Sequence, residues 1–148
     1  MMTAIASLRD IARCCRTGAQ LPADQARFLA DALDRFLAHR APSLEAALGL
    51  RFPRGGVPWW REEAMRRRDA ALRALAERHH AGETVTARAR AIAVAARRYA
   101  ATAWREDAHR DAMPAHYAGT PREGLYRAFA SGAPMPLGER QLRTILGK

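Results

Sequence analysis

The stretch TVTARARAIAVAARRYAATAWR, residues 84–105, decides both the fold of this chain and the placement of its charge. It holds five arginines and no acidic residue. When the stretch is wound as a helix at about 100° per residue, four of the arginines share a strip about 100° wide, and only Arg88 falls outside it. These four residues, the arginine strip, are Arg90, Arg97, Arg98 and Arg105. The opposite side has the spacing of a buried face and consists of Val85, Ala89, Ile92, Ala96, Tyr99 and Ala103.

The helix expected just before this stretch, from about Trp59 to His79, is charged in a different way. Its acidic and basic residues recur at the four-residue spacing that allows ion pairs on a helix. The expected pairs are Glu62 with Arg66, Asp69 with Arg73, and Arg73 with Glu77. A short turn containing Gly82 joins the two segments, and Pro114 forbids continuation of the second. We therefore predict an antiparallel hairpin of helices at about 60–80 and 84–110.

The rest of the chain also predicts helices, and no segment shows the period-two alternation of a strand. Residues 1–50 predict a nearly neutral helical scaffold, whose second helix packs through Phe28, Leu29, Ala32, Leu33, Phe36 and Leu37. Two glycines and two prolines break the chain at 51–58, and a final helix pair is expected at 121–131 and 139–147. The prediction for 1–148 is a single all-α domain, a compact bundle of about five to seven helices, with its basic part at 59–148.

The formal net charge is +10, and it is concentrated beyond residue 50. Residues 1–50 hold six arginines against five acids, whereas residues 51–148 hold nineteen basic residues against ten acids. Unbalanced positive charge favours a polyanionic partner such as nucleic acid, because the planar guanidinium can hold a phosphate with two hydrogen bonds. A solvated helix face is the alternative interpretation. The predicted nucleic-acid-binding residues are Arg90, Arg97, Arg98, Arg105, Arg140, Arg143 and Lys148.

Two adjacent tryptophans, Trp59 and Trp60, follow the Gly/Pro break and stand near Arg54 and Arg61. Aromatic side chains beside arginines can stack on bases or take part in a protein interface. Large aromatics after such a loop also commonly pin it to the core, and the sequence leaves both interpretations open. These four residues are therefore a possible interface.

No sequence motif points to catalysis, so we predict a protein that is not an enzyme. Glu106 and His109 stand three apart, but no second motif of this kind accompanies them, and neither a metal site nor a cofactor is predicted. The only cysteines, Cys14 and Cys15, are adjacent and are expected to be reduced. Since no apolar run approaches the roughly 20 residues of a membrane span and the N-terminus lacks a secretory pattern, we expect a bacterial cytoplasmic protein with no membrane partner.

Several segments together resemble small uncharacterised helical proteins of GC-rich proteobacteria and their prophages. They are SLEAALGL (43–50), RYAATAWR (98–105) and YAGTPREGLYRAF (117–129). The resemblance implies a phage or mobile-element context and carries no activity with it. The segment RQLRTIL (140–146) resembles the reading helix of small helix-turn-helix proteins, which implies that Arg140 and Arg143 face a DNA groove.

Two functions follow from these observations. The first is a non-enzymatic nucleic-acid-binding protein of regulatory or accessory type, with DNA preferred to RNA. The second is a protein-binding adaptor or inhibitor, in which the arginine strip meets an acidic protein surface, as in a phage factor that docks on a host complex. A homodimer is compatible with either function.

Overall fold

The computed structural model describes residues 3–52 and 54–147. All regular structure in these residues is helical and none is strand, which confirms the predicted all-α class. The α-helices are α1 (Ala4–Thr17), α2 (Ala23–Leu37), α3 (Leu44–Ala47), α4 (Trp59–His79), α5 (Val85–Ala101), α6 (Trp104–Asp107), α7 (Pro121–Phe129) and α8 (Glu139–Leu146). A short 3₁₀ helix, Ala115–Tyr117, precedes α7. The count exceeds the expected five to seven because the helix predicted at 84–110 is divided into α5 and α6.

The chain divides into two compact units, Met1–Trp59 and Trp60–Lys148. They are called the N-terminal unit and the C-terminal unit below. In the part of the chain that the structure describes, no helix is both long enough and apolar enough to cross a membrane.

The N-terminal unit is built from α1, α2 and α3. Thr3 caps α1 by accepting a hydrogen bond from the Ala6 amide, and Gly18 ends the helix in the left-handed conformation that glycine adopts without strain. Helix α2 packs against both α1 and α3, and the Arg35 guanidinium donates to the Ala47 carbonyl at 2.8 Å. The apolar residues that this unit buries, among those described, are Ile11, Ala32 and Ala47. The interior of this unit is therefore small.

The predicted inward stripe of α2 is wrong in its second half. Leu33, Phe36 and Leu37 are exposed, Leu37 to 70%. Burial instead follows the side of Gln25 and Ala32, because this side of α2 faces the rest of the N-terminal unit. Since the apolar residues of α2 cover more than half of the helix circumference, its sequence does not determine which part of that broad face packs.

The C-terminal unit holds the large core of the molecule. Helix α5 packs most extensively against α8, and α4, α7 and the 3₁₀ helix contribute to the same interior. The buried residues of this core are Leu72, Leu75, Ala76, Ala89, Ile92, Ala93, Ala96, Tyr99, Tyr117, Leu125, Ala128, Leu142 and Ile145. Both helices of the predicted C-terminal pair are formed, but the main packing partner of α8 is α5 rather than α7.

Two arginines of α4 tie the C-terminal segment to this core. Arg68 donates to the Pro134 carbonyl at 2.6 Å, and Arg73 donates to the Ile145 carbonyl at 3.0 Å, near the end of α8, where helix carbonyls lack intrahelical partners. The predicted pairing of Asp69 with Arg73 is therefore wrong: Asp69 pairs with its neighbour Arg68 at 2.7 Å. The fold brings a backbone carbonyl close to Arg73, and Arg73 donates to this carbonyl instead of pairing with the acid four residues before it.

Helix α7 approaches α4 closely at Gly124. A Cβ atom at this position would lie 2.8 Å from the Cβ of Leu75, which is shorter than side-chain carbons tolerate. Glycine here lets the two helices pack backbone to side chain, despite its unfavourable helix propensity.

Candidate nucleic-acid interface

Helix α5 exposes three arginines of the arginine strip. Thr84 begins the helix as its cap, since its hydroxyl accepts a hydrogen bond from the Ala87 amide at 3.2 Å. The buried face consists of Ala89, Ile92, Ala93, Ala96 and Tyr99. Arg90, Arg97 and Arg98 lie on the opposite, exposed face. The predicted division of this helix into a packed and a cationic face is therefore confirmed, although Val85 is 39% exposed rather than buried.

Arg88 has a separate role. Its guanidinium Nε donates to the His80 carbonyl at 3.0 Å and so links α5 to the end of α4. This contact uses the arginine that the helix geometry placed outside the strip.

Arg105 does not lie on α5, contrary to the prediction. The helix ends at Ala101, Thr102 has φ −121° and ψ −97°, and the chain then turns into the short helix α6 that carries Arg105. Arg105 is exposed, but it extends no continuous face of α5. The strip on a single helix therefore ends at Arg98.

Helix α8 supplies a second exposed pair of arginines. Leu142 and Ile145 are buried against the core, which leaves Arg140 and Arg143 exposed on the outer side. Because α8 packs along α5, two arginine sets from distant segments of the sequence lie on neighbouring helices. We call them the α5–α8 surface, and its members are Arg90, Arg97, Arg98, Arg140 and Arg143.

A single acidic residue belongs to these two helices. It is Glu139, the first residue of α8, and its carboxylate lies 3.7 Å from Arg90 Nε. The Arg90 side chain remains 70% exposed, so this is a solvated and weak ion pair. The α5–α8 surface therefore keeps most of its positive charge. Lys148, the last predicted binding residue, lies outside the described residues.

The four residues of the possible tryptophan interface are divided between the two units, because the boundary falls between Trp59 and Trp60. In the N-terminal unit, the Trp59 indole donates to the Glu45 carboxylate at 3.1 Å, and Arg54 is exposed. In the C-terminal unit, Trp60 is 54% exposed and Arg61 is exposed. Trp59 thus fits the role of a residue that pins the loop, whereas Trp60 presents aromatic surface.

A buried cluster around Asp107 was not predicted from the sequence. The Asp107 side chain is 3% exposed and accepts hydrogen bonds from Tyr99 Oη at 2.7 Å, Tyr117 Oη at 2.8 Å and Arg110 Nε at 3.0 Å. In an unbroken helix, residues 99 and 107 would be about 12 Å apart along the axis. The break after Ala101 is what brings them together, and no sequence pattern signalled it.

The environment of this cluster shifts two pKa values. Burial raises the pKa of Asp107, but the hydrogen bonds from Tyr99, Tyr117 and Arg110 and the charge of Arg110 lower it by more, so its net pKa lies below the ordinary value. Burial, followed by the hydrogen bond to Asp107 and the negative charge of Asp107, raises the pKa of Tyr99. The cluster therefore keeps the Asp107 carboxylate charged and the Tyr99 hydroxyl protonated, beside the C-terminal end of α5.

A groove of about 1120 Å³ lies between α4 and α7. Its rim includes Arg78 and Arg127, which lie 3.5 Å and 2.7 Å from Glu123. The Gly119 amide also donates to Glu123, and this bond is the main reason that the pKa of Glu123 is lowered. Because one carboxylate partners both arginines, this groove offers less free positive charge than the α5–α8 surface.

Glu106 and His109, the residues weighed as metal ligands, are both exposed. Across residues 3–52 and 54–147, no three histidine, cysteine or acidic side chains are grouped closely enough to hold a metal ion.

No protein-family model matches this chain, and neither a curated protein nor a solved structure does.

Proposed function

We propose that this protein is a non-enzymatic nucleic-acid-binding protein of regulatory or accessory type, that DNA is its partner and that the α5–α8 surface is the contact. One observation carries the proposal: arginines from two separate segments are exposed on helices that pack together, with one acid between them. The phage or mobile-element context that the sequence resemblance implies, and the bacterial cytoplasmic location expected from the sequence, would suit this function.

Arginine suits the proposed contact for chemical reasons. Each guanidinium can form two parallel hydrogen bonds to a phosphate, and its weak hydration lowers the cost of removing water. The exposed residues between the arginines on α5 are short or medium in length, such as Ala87, Val94 and Ala101. A phosphate backbone can therefore approach the helix closely.

The same surface favours a duplex over a single strand. Proteins that hold single strands usually stack bases on exposed aromatic side chains. None of the described residues that α5 and α8 expose is aromatic. Tyr99 is buried, and Trp104 and Phe129 pack with it at ring-centroid distances of 6.1 Å and 5.2 Å. The aromatic residues next to this surface thus serve the core, and the arginines are left to contact phosphates.

Fluorescence anisotropy with a labelled duplex tests the proposal. The variant Arg97→Ala/Arg98→Ala removes two adjacent arginines of the α5–α8 surface. The matched control, Arg66→Ala/Arg67→Ala, removes two adjacent exposed arginines of α4 and changes the net charge equally. We expect the first variant to bind at least tenfold more weakly than the control and to lower the slope of log K against log salt by about 1 per arginine.

Equal weakening by the two variants would mean that only total charge matters and would overturn the assignment of the surface. Absence of salt-dependent binding by the unchanged protein would overturn the function itself. A single strand of the same length should bind more weakly than the duplex, and the reverse order would contradict the argument from the aromatic residues.

A second candidate, an adaptor that docks on an acidic protein surface, is favoured by Trp60. This side chain is half exposed at the beginning of α4 and is followed by the exposed Arg61. Tryptophan and arginine are among the residue types enriched at the centres of protein interfaces. A stoichiometric complex that survives nuclease treatment and is lost in Trp60→Ala, but not in Arg97→Ala/Arg98→Ala, would favour this candidate over the first.

A further inference from the structure

Helix α2 has a second apolar face that nothing in the N-terminal unit covers. Its buried side, at Gln25 and Ala32, faces the interior of the unit. Four further apolar residues, centred about 120° round the helix from this buried side, are exposed. They are Ala26, Ala30, Leu33 and Leu37, and we call them the α2 seam.

The α2 seam has the spacing of a helix–helix contact. Its residues are separated by four, three and four positions, which is the repeat that keeps a narrow apolar edge facing a partner helix. Leu37 is 70% exposed and Leu33 is 38% exposed. Exposed apolar surface in such a regular line is typical of an interface rather than of a solvated helix face.

The small interior of the N-terminal unit adds a reason for a partner. Among its described residues, three apolar side chains are buried, and two of them are alanines. A unit of about 60 residues with so little buried apolar surface gains much of its stability from any further burial.

The charges beside the seam identify the partner. Arg27 and Asp34 each directly follow a seam residue, so both lie along the same edge of α2, and both are exposed. When two copies of a helix pack antiparallel about a two-fold axis, this edge of one helix lies against the same edge of the other. Arg27 of each copy then meets Asp34 of the other, which gives two opposite-charge contacts. In a parallel pair this edge would face the opposite edge, where Leu29 and Phe36 lie.

We propose that the α2 seam binds the same seam of a second copy of this chain, in an antiparallel pair with Arg27 and Asp34 in contact across it. The inference does not depend on the proposed function. Since α2 has 15 residues, the interface is small, and we expect a reversible monomer–dimer equilibrium.

Sedimentation equilibrium of the full chain over a concentration series tests the proposal. We expect a monomer–dimer equilibrium for the unchanged protein. Leu33→Asp should weaken association at least tenfold. The matched control is Leu137→Asp, since Leu137 is also a leucine exposed to 38% but belongs to the C-terminal unit. It should associate like the unchanged protein, and circular dichroism of both variants checks that they are folded.

Charge reversal tests the register and does not depend on removing an apolar residue. Arg27→Asp places two acids opposite each other and should weaken association several-fold. The double variant Arg27→Asp/Asp34→Arg restores opposite charges only in the antiparallel pair and should associate like the unchanged protein. A monomer at all concentrations, equal effects of Leu33→Asp and Leu137→Asp, or no restoration by the double variant would each overturn the proposal.

Discussion

Six of the ten large apolar side chains that are exposed in the described part of the chain belong to the N-terminal unit, although it is the smaller of the two. The C-terminal unit shows the opposite distribution. Its core joins four helices and the 3₁₀ helix, and its outer surface on α5 and α8 exposes five arginines. Both units are helical. The C-terminal unit buries a large apolar core and exposes charge, whereas the N-terminal unit buries few apolar side chains and exposes several. Under the two proposals above, a polyanion would bind the C-terminal unit and a second copy of the chain would bind the apolar side chains of the N-terminal unit.

The largest expected effect compares one buried and one exposed leucine from the two units. Leu142 is fully buried between α8 and α5, whereas Leu44 at the start of α3 is 38% exposed. Leu142→Ala should lower the free energy of unfolding by about 2–5 kcal/mol, because it removes contacts and leaves a cavity. Leu44→Ala should cost less than about 1 kcal/mol. Urea unfolding followed by circular dichroism measures both free energies. Equal losses would show that the two leucines contribute equally to stability, contrary to their difference in burial.

The Asp107 cluster is expected to show the next largest effect. Asp107→Asn replaces one carboxylate oxygen with an N–H₂ group. This group meets either the hydroxyls of Tyr99 and Tyr117, which donate to Oδ2, or Arg110 Nε, which donates to Oδ1. In either orientation at least one buried hydrogen bond and the negative charge are lost, which should cost about 2 kcal/mol at pH 7. Urea unfolding at fixed pH gives this difference. A loss below about 0.5 kcal/mol would mean that the cluster adds little to the C-terminal unit.

The pH dependence of the same pair of proteins sharpens this result. Because the pKa of Asp107 is lower in the folded than in the unfolded chain, its carboxylate stabilises the fold above the unfolded pKa of about 4. This stabilisation is lost as the pH falls through that value towards the lower folded pKa. The difference between Asp107→Asn and the unchanged protein should therefore be smaller at pH 3 than at pH 7.

A smaller effect is expected where α7 approaches α4. Gly124→Ala improves helix propensity by about 1 kcal/mol, but the new methyl group would lie 2.8 Å from the Cβ of Leu75. Overpacking of this kind typically costs 1–3 kcal/mol, so we expect a net loss of about 1 kcal/mol. The control is Gly138→Ala, because a methyl group there meets no atom within 4 Å. A stabilised Gly124→Ala protein would show that the C-terminal core is looser than its distances indicate.

The smallest effect on stability is expected from the single acid of the α5–α8 surface. Glu139→Gln removes a solvated ion pair with Arg90 and should change the free energy of unfolding by less than about 0.5 kcal/mol. It also removes the one acidic residue that α5 and α8 carry, so affinity for duplex DNA should rise about twofold. Anisotropy and urea unfolding on the same protein measure both quantities. Weaker binding would contradict the proposed contact surface.

The parts of the fold that local periodicity controls could be predicted from the sequence. The two faces of α5 follow from the regular recurrence of its alanines and arginines, and the caps at Thr84 and Ser43 follow from side chains that accept amide hydrogen bonds. The exposure of Arg140 and Arg143 follows from their position opposite Leu142 and Ile145. These features depend on neighbours within a few residues.

The parts that depend on distant residues could not be predicted. Helix α2 carries two apolar faces, and only the positions of α1 and α3 determine which face is buried. The sequence of α4 predicts ion pairs within the helix. In the structure, Arg68 and Arg73 donate to the carbonyls of Pro134 and Ile145, which are distant in sequence. The Asp107 cluster requires the break after Ala101, for which the sequence contains neither a proline nor a glycine.

The packing of α8 along α5 has a consequence for the order of folding. Residues 85–101 are synthesised well before 139–146, so α5 emerges with its apolar face uncovered and its arginines already exposed. The surface of five arginines exists only after the chain has closed a long loop, a slow step compared with the formation of local helical contacts. A folding intermediate that lacks α8 therefore carries a weaker cationic surface than the finished protein. Tight binding to nucleic acid would accordingly report complete folding of the C-terminal unit.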